Sequence, residues 1–444
     1  MCSLLCLLPL VAEGQTSASD ASQWSNVPQV HQKEGVKWSQ VLWDGGLYRK
    51  GQWYVQSAHG MSDLADANFV DGYSIGPHVV IGRMNKNRSR WEVEETVRWA
   101  IGRETLLAKG ALRWYSPVEQ GVMIEVRGGR HSEDFDHDPT MPYDLAAMAS
   151  AIFGWSHFKM LERTEAGLRI ALPLHAELDL KANLSWERRK ALENHLHHSI
   201  FGAHARSNVP RVRDGRTVRG LTMYEGPVDG QMALMNLQLN YQRNRTIYVY
   251  DDMTARIQSS SPLVSLNADA GMGTWHYLTL GLQVSQDVRL PRRQDRLHYH
   301  VGGGNTFSHE DELSLVDWHH FNASRFWWQG SPDLTRFHAL DNYELSTPGH
   351  WIEAHAEWKS DKMLVTHFGQ DPALREFVQA HALVVSDHRV HWEMEWGLEA
   401  NELMRIAFGM NMNGAKVHNV FATLSYDLQA ARDYKRKEKK GWNH

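Results

Sequence analysis

Only two cysteines occur in the 444 residues, Cys2 and Cys6, and both sit at the very start. The remainder therefore supports neither a disulfide framework nor a cysteine-based structural zinc site. No long apolar run is present, so no helix is long and apolar enough to cross a bilayer. The net charge of −5 gives no basis for nucleic-acid binding. No His-Glu-x-x-His pair occurs. The run Gly302–Gly304 follows a strand pattern without a helix start, so it is not a phosphate loop; close strand approach or a bend is the expectation. No cofactor motif is visible.

Tryptophan, by contrast, is abundant at 18 copies spread along the chain. The mean hydropathy of −0.49 is that of a soluble protein on average. A transmembrane barrel escapes that test, because its lumen face is polar. The opening residues 1–18, "MCSLLCLLPLVAEGQTSA", have an apolar core that resembles a secretory signal, although no Lys or Arg precedes it. A shifted reading-frame start is the alternative. Cys6 lacks the small preceding residue of a lipid-bearing cysteine. Residues 19–66 form a lead-in region.

The dominant pattern is alternation. In residues 168–186, "LRIALPLHAELDLKANLSW", every second residue is apolar from Leu168 to Trp186. This period of two marks strands with one apolar and one polar face. It recurs around Trp91 to Ile101, Ala233 to Tyr241, Ile352 to Trp358, Trp392 to Ala400, Met404 to Met412 and Val420 to Leu428. Between these runs lie Gly, Asn, Asp, Ser and Pro clusters, which are turn signals. Residues 73–428 hold roughly 14–16 such strands of about 9–12 residues, the length a tilted strand needs to cross a bilayer. A soluble β-sandwich is the plainer alternative, but its strands are usually shorter. Trp91, Trp99 and Trp186 near strand ends match the aromatic girdles of a membrane barrel.

The expected fold is thus all-β: an antiparallel transmembrane β-barrel over residues 67–428, with short turns on one side and longer loops on the other. A helical insert is expected at about 142–162 and a long loop at about 199–227. Residues 429–444 form a solvated basic tail. In residues 168–186 the alternation keeps its parity through Pro173 and His175. One very long strand, or two strands joined by an odd-length turn near 173–177, would do this. The two-strand form is favoured because Pro lacks the ladder N–H. Lipid would cover the apolar face, with Glu177, Asp179, Lys181 and Asn183 in the lumen.

Three segments carry a family resemblance. "NFVDGYSIGPHVVIG" (68–82) resembles the start of the barrel in a Bacteroidetes outer-membrane family of unknown function, whose members are labelled carboxypeptidase-like regulatory domain-containing proteins. "SWERRKALEN" (185–194) is similar to that family's Y-E-x-R-x-x-L-x-N segment, with Trp186 replacing the aromatic. "FHALDNYELSTPGHWIEAHAEW" (337–358) resembles its F-x-x-L-x-x-Y-x-x-S-T-x-x-x-x-x-x-A-H block, with Phe337, Leu340, Tyr343, Ser346, Thr347, Ala354 and His355 in place. The resemblance covers roughly residues 68–428 and implies an outer-membrane barrel. It brings no activity. The carboxypeptidase label refers to a family region expected to be missing from this chain.

The strongest candidate site is a polar set on the lumen faces: Glu353, His355, Glu357, His381, Glu393, Glu395, Glu399 and Arg405. A hydrogen-bonded network filling the pore is its plainer reading; a selectivity region or docking surface is its functional one. Among the 26 histidines, His298 with His300 and His319 with His320 are weak metal candidates, each pair needing further ligands. Ser308 and Ser346 lie near histidines, but sequence places no base beside either, so no catalytic constellation is visible. The expected partners are outer-membrane lipid and other envelope proteins. The expected role is transport or a structural scaffold, with an assembly or secretion barrel and a soluble β-rich binding protein as alternatives. No pattern specifies an oligomeric state.

Overall fold

A computed structural model of the chain describes residues 46–57, 65–117, 120–136, 143–213, 221–251, 254–290, 295–308, 313–330, 332–360, 374–386, 389–401, 403–413 and 416–426. The signal-like segment 1–18, the basic tail 429–444 and most of the lead-in region lie outside these residues.

The chain starts with β1 (Gly46–Lys50), β2 (Trp53–Ser57), β3 (Ala65–Asn68), β4 (Gly72–Ile75) and β5 (His78–Met84). Longer strands follow: β6 (Arg90–Ala100), β7 (Thr105–Tyr115), β8 (Met123–Asp134), β9 (Met160–His175) and β10 (Leu178–Ala191), with helix α1 (Tyr143–Phe153) between β8 and β9. A short hairpin of β11 (Arg211–Arg213) and β12 (Leu221–Met223) precedes β13 (Gly230–Gln242). Another, β14 (Thr246–Asp251) and β15 (Thr254–Gln258), precedes β16 (Leu263–Gly273), β17 (Tyr277–Arg289) and β18 (Arg296–Ser308). The last are β19 (Trp328–Gln329), β20 (Trp351–Ser360), β21 (Leu374–Val385), β22 (Arg389–Ala400), β23 (Met404–Asn413) and β24 (Lys416–Tyr426).

Sequential antiparallel pairing builds one wall. β1 pairs with β2, β2 with β5, and each strand from β5 to β9 with the next. The meander continues through β13, β16, β17, β18 and β20 to β24. This is the all-β antiparallel barrel class expected, with one α-helix among the described residues. Among the described residues the sheet holds 20 strands, and no ladder joins β1 to β24. The count exceeds the expected 14–16 because β1 to β4 and β19 are pieces of two to five residues, too short for alternation to register. For the same reason the wall takes in residues 46–57, ahead of the expected start at 67.

The two faces of the wall are inverted relative to a soluble protein. Along β22, His391, Glu393, Glu395 and Glu399 are buried, while Val390 and Met394 are exposed. Along β6, Trp91, Val93, Val97 and Trp99 are exposed. A large outward apolar area of this kind calls for a non-aqueous partner. Close strand approach is visible at Gly304, where an added Cβ would sit 2.5 Å from the Trp351 ring. The Gly302–Gly304 run lies within β18 and leaves room for Trp351 and Glu353 from β20.

Residues 168–186 form two strands, with a two-residue turn at Ala176–Glu177. Such a turn pairs His175 with Leu178 and would flip the parity. A bulge restores it, because Asp179 pairs with Pro173 and leaves Leu174 as the extra residue. Leu180 then faces Leu172 and Leu184 faces Leu168. The odd-length turn is thus corrected to an even turn plus a bulge at the proline.

The helix is shorter than the expected 142–162. It stops at Phe153 because Gly154 takes φ +70°, the left-handed conformation that ends helices. The segment after it extends into β9. The expected loop 199–227 contains the β11–β12 hairpin.

Residues 313–350, between β18 and β20, fold back against the polar face as a plug. Phe321, Phe337, Leu340 and Leu345 pack with Trp351, Leu383 and Val385 of the wall. Leu315, Val316 and Tyr343 pack with Phe135 and Leu161. The plug also reaches the last strand: Trp328 and Gln329 pair in parallel with Leu424 and Ser425 of β24.

Candidate functional site

The polar set expected in the lumen lies on the inner face, buried except for the half-buried Arg405, but it forms two groups rather than one. Register sets the first. Glu393, His381, His355 and His300 stand opposite one another on β22, β21, β20 and β18. Opposed side chains in antiparallel strands are in contact range. His355 Nδ1 lies 2.9 Å from His381 Nδ1, so one ring carries the proton and the other accepts it. Glu353 lies 3.5 Å from His355 and 3.9 Å from His300. His391 Nε2 meets Glu393 Oε1 at 2.6 Å.

This row is the plug's dock. The backbone N–H groups of His338 and Ala339 donate to Glu393 at 2.8 and 2.9 Å. His338 Nδ1 donates to Glu395 at 2.5 Å. Phe337 is fully buried among the rings of His355, His381 and His391, with centroids 4.8, 5.9 and 5.8 Å away.

The second group lies further along the strands. Arg405 donates to Glu357 at 2.7 Å and to Glu399 at 2.5 Å, and its guanidinium covers Phe377 at 5.0 Å. Lys359 joins Glu399 at 3.1 Å, and Gln379 donates to Glu357 at 2.6 Å. No plug residue takes part in these contacts.

The histidines singled out for metal binding are dispersed. His300 belongs to the row above, and His298 lies on the same strand face but exposed. His319 stacks on Trp351 with ring centroids 3.8 Å apart. His320 Nδ1 lies 2.8 Å from Ser346 Oγ. Burial pulls the pKa of His319 down to about 4 and that of His320 down to about 3. Among the described residues no three His, Cys, Asp or Glu side chains converge as a metal site. Ser308 is exposed and donates to the carbonyl of His276. Ser346 has its histidine; the serine is buried and His320 is half-buried.

A second dock, absent from the candidate set, lies on the opposite part of the wall. Asp317 of the plug accepts two hydrogen bonds from Arg189 at 2.6 and 2.9 Å, and one from Trp275 Nε1 at 2.5 Å. Arg189 also pairs with Glu187, which pairs with Arg163 at 3.1 Å. Glu133, His131, Glu165, Arg127, Glu125, Arg113, Glu94 and His78 continue this chain of alternating acidic and basic side chains back to β5. Tyr343 takes a strained φ of +67° and donates its hydroxyl to Asp134 of β8. The available signal was the Glu and Arg residues recurring on the polar faces of β6 to β10.

A family model described as "Family of unknown function (DUF5686) C-terminal domain" matches residues 40–398. The chain belongs to this family. As a DUF5686 member it carries both docks within or close to the matched range. None of the curated proteins compared shows significant sequence similarity to it. Among solved structures, BamA from Haemophilus ducreyi lacking POTRA domains 1–3 is similar, with TM-score 0.44 and 11% identity over 81% of this chain and 69% of that one. CdiB from Acinetobacter baumannii gives 0.39 and 9%, over 81% and 57%. Wzi, an Escherichia coli outer-membrane protein involved in group 1 capsule assembly, gives 0.36 and 8%, over 86% and 76%.

Proposed function

We propose that this DUF5686 protein is an outer-membrane transport barrel, held closed at rest by its own residues 313–350. Lipid covers the outward apolar rows, and the envelope of a Bacteroidetes-type cell is the setting that the family resemblance implies. One observation carries the reading. The plug is bound at two separated places on the inner wall, Glu393 with Glu395 on one side and Arg189 on the other. A segment tied this way blocks passage until both ties release. Catalysis is no part of the reading, because the Ser346 hydroxyl beside His320 is itself buried.

Planar-bilayer recording tests it. The wild-type chain should be silent or pass brief small currents, and a variant combining Glu393→Ala with Asp317→Ala should open to steady unit conductance. A wide, permanently open wild-type pore would sink the closed-plug reading. So would a plug-released variant that stays silent. The barrel itself is tested by a heat-modifiable gel shift with membrane extraction; no shift and full solubility in buffer would remove it.

A further inference from the structure

A cavity of about 750 Å³ opens where β10, β13 and β16 end, lined by Trp186, Arg188, Lys190, Gln231, Asp229 and Thr274 among others. Strand parity places it on the outer flank. The outward row of β10 runs Leu180, Ala182, Leu184, Trp186, Arg188 and Lys190. Leu184 and Trp186 are about half exposed. The row is therefore apolar up to a tryptophan and cationic beyond it.

The two cations are unlike their neighbour. Arg189 points inward and is fully paired with Asp317 and Glu187. Arg188 and Lys190 are exposed, and among the described residues neither side chain has a hydrogen-bond or ion-pair partner. Glu162, the residue opposite Lys190, is already engaged by Arg103 and Arg130. Asp229, the acidic residue of the lining, accepts the N–H of Ala191 at 2.6 Å. Across the cavity, Thr274 and Gln231 are joined by their own hydrogen bond at 2.9 Å.

We propose that this cavity binds the phosphate of an anionic membrane lipid, with Arg188 and Lys190 holding the phosphate and Trp186 against the chain below it. The proposal rests on the membrane-barrel reading. A tryptophan on a lipid-facing row marks the interface, and cations one and two steps beyond it stand at headgroup depth. A free phosphate would need no apolar floor. The continuous row from Leu184 through Trp186 to Arg188 provides one, next to the exposed Met272. Two unpaired cations near an anionic surface give a preference of roughly ten- to thirtyfold over a zwitterionic lipid.

The full chain, refolded in neutral detergent, is titrated with phosphatidylglycerol, phosphatidylcholine or inorganic phosphate and read by native mass spectrometry. Retention of one phosphatidylglycerol at a roughly tenfold lower concentration than phosphatidylcholine is expected. That preference should vanish in R188Q/K190Q while the heat-modifiable gel shift persists. Millimolar inorganic phosphate should leave the bound lipid in place. Equal retention by wild type and R188Q/K190Q overturns the proposal, as does displacement by inorganic phosphate. If the double variant does not fold, K190Q reads the same loss at smaller size, and unchanged retention there overturns it too. A wild-type chain without a gel shift removes the barrel reading and this one together. A chain that shifts but shows no lipid preference removes only this one.

Discussion

His338 in the plug donates its Nδ1 proton to Glu395 in the wall at 2.5 Å, and the neighbouring Glu393 accepts the backbone N–H of the same histidine. Side chain and backbone of one plug residue are thus both held by one strand.

Removal of that backbone acceptor should loosen the plug. Glu393 is fully buried and holds two N–H groups. Glu393→Ala leaves both without a partner, at a cost on the order of 2–4 kcal/mol. Limited proteolysis in detergent should cut residues 313–350 faster in the variant, with the wall strands still protected. Equal cutting rates would show that Glu393 does not hold the plug.

The second tie is ionic. Arg189 and Asp317 are buried with their charges matched. Arg189→Ala leaves the Asp317 carboxylate with the Trp275 hydrogen bond but no counter-charge, and should cost about 3–5 kcal/mol. Replacing both partners, as in R189M/D317L, should restore much of that. Urea unfolding in micelles compares the two; a double variant as unstable as the single one argues against the pair.

Acid should also release the plug. His319 and His320 lie outside the wall strands, with folded-state pKa values lowered to about 4 and about 3 by burial. Undocked, His319 would protonate near its ordinary value of about 6.5. His319 stacks on Trp351 of the wall, so its pKa falls on docking; its contribution is fully present above about pH 6.5 and is lost as pH drops toward about 4, by about 1.4 kcal/mol per unit. Conductance should rise between pH 7.5 and 5.5, and H319Q should flatten that rise. A pH-independent wild type would contradict the burial of this ring.

Charge on the outer wall should block insertion rather than aid solubility. Phe408 is exposed at the middle of β23. Phe408→Arg should cost roughly 2–4 kcal/mol in a bilayer. Folding yield into liposomes measures it, and an unchanged yield would mean that this face meets water.

The alternation in β22 was sufficient to state which residues face in and which face out. His391, Glu393, Glu395 and Glu399 are all buried, as their parity requires. Parity is a local property, set by the two-residue period of an extended chain. It also located the irregularity at Pro173, though not its form: a bulge and an odd turn leave the same trace in sequence. What the eight lumen residues touch was not legible. Glu393 meets His338 and Glu357 meets Arg405 because of strand register and because residues 313–350 turn inward. The plug has no period to reveal it, and its core of Phe321, Phe337 and Leu340 reads as an irregular loop. Arg189 and Asp317 stand 128 positions apart, and only the pairing of the intervening strands and the inward turn of residues 313–350 bring them together. Sequence by itself therefore determined the strands and the side of the wall each residue faces, since these follow from neighbours along the chain. Tertiary structure decided the plug, its two docks and the unpaired cations on the outer flank, since these depend on contacts between distant segments.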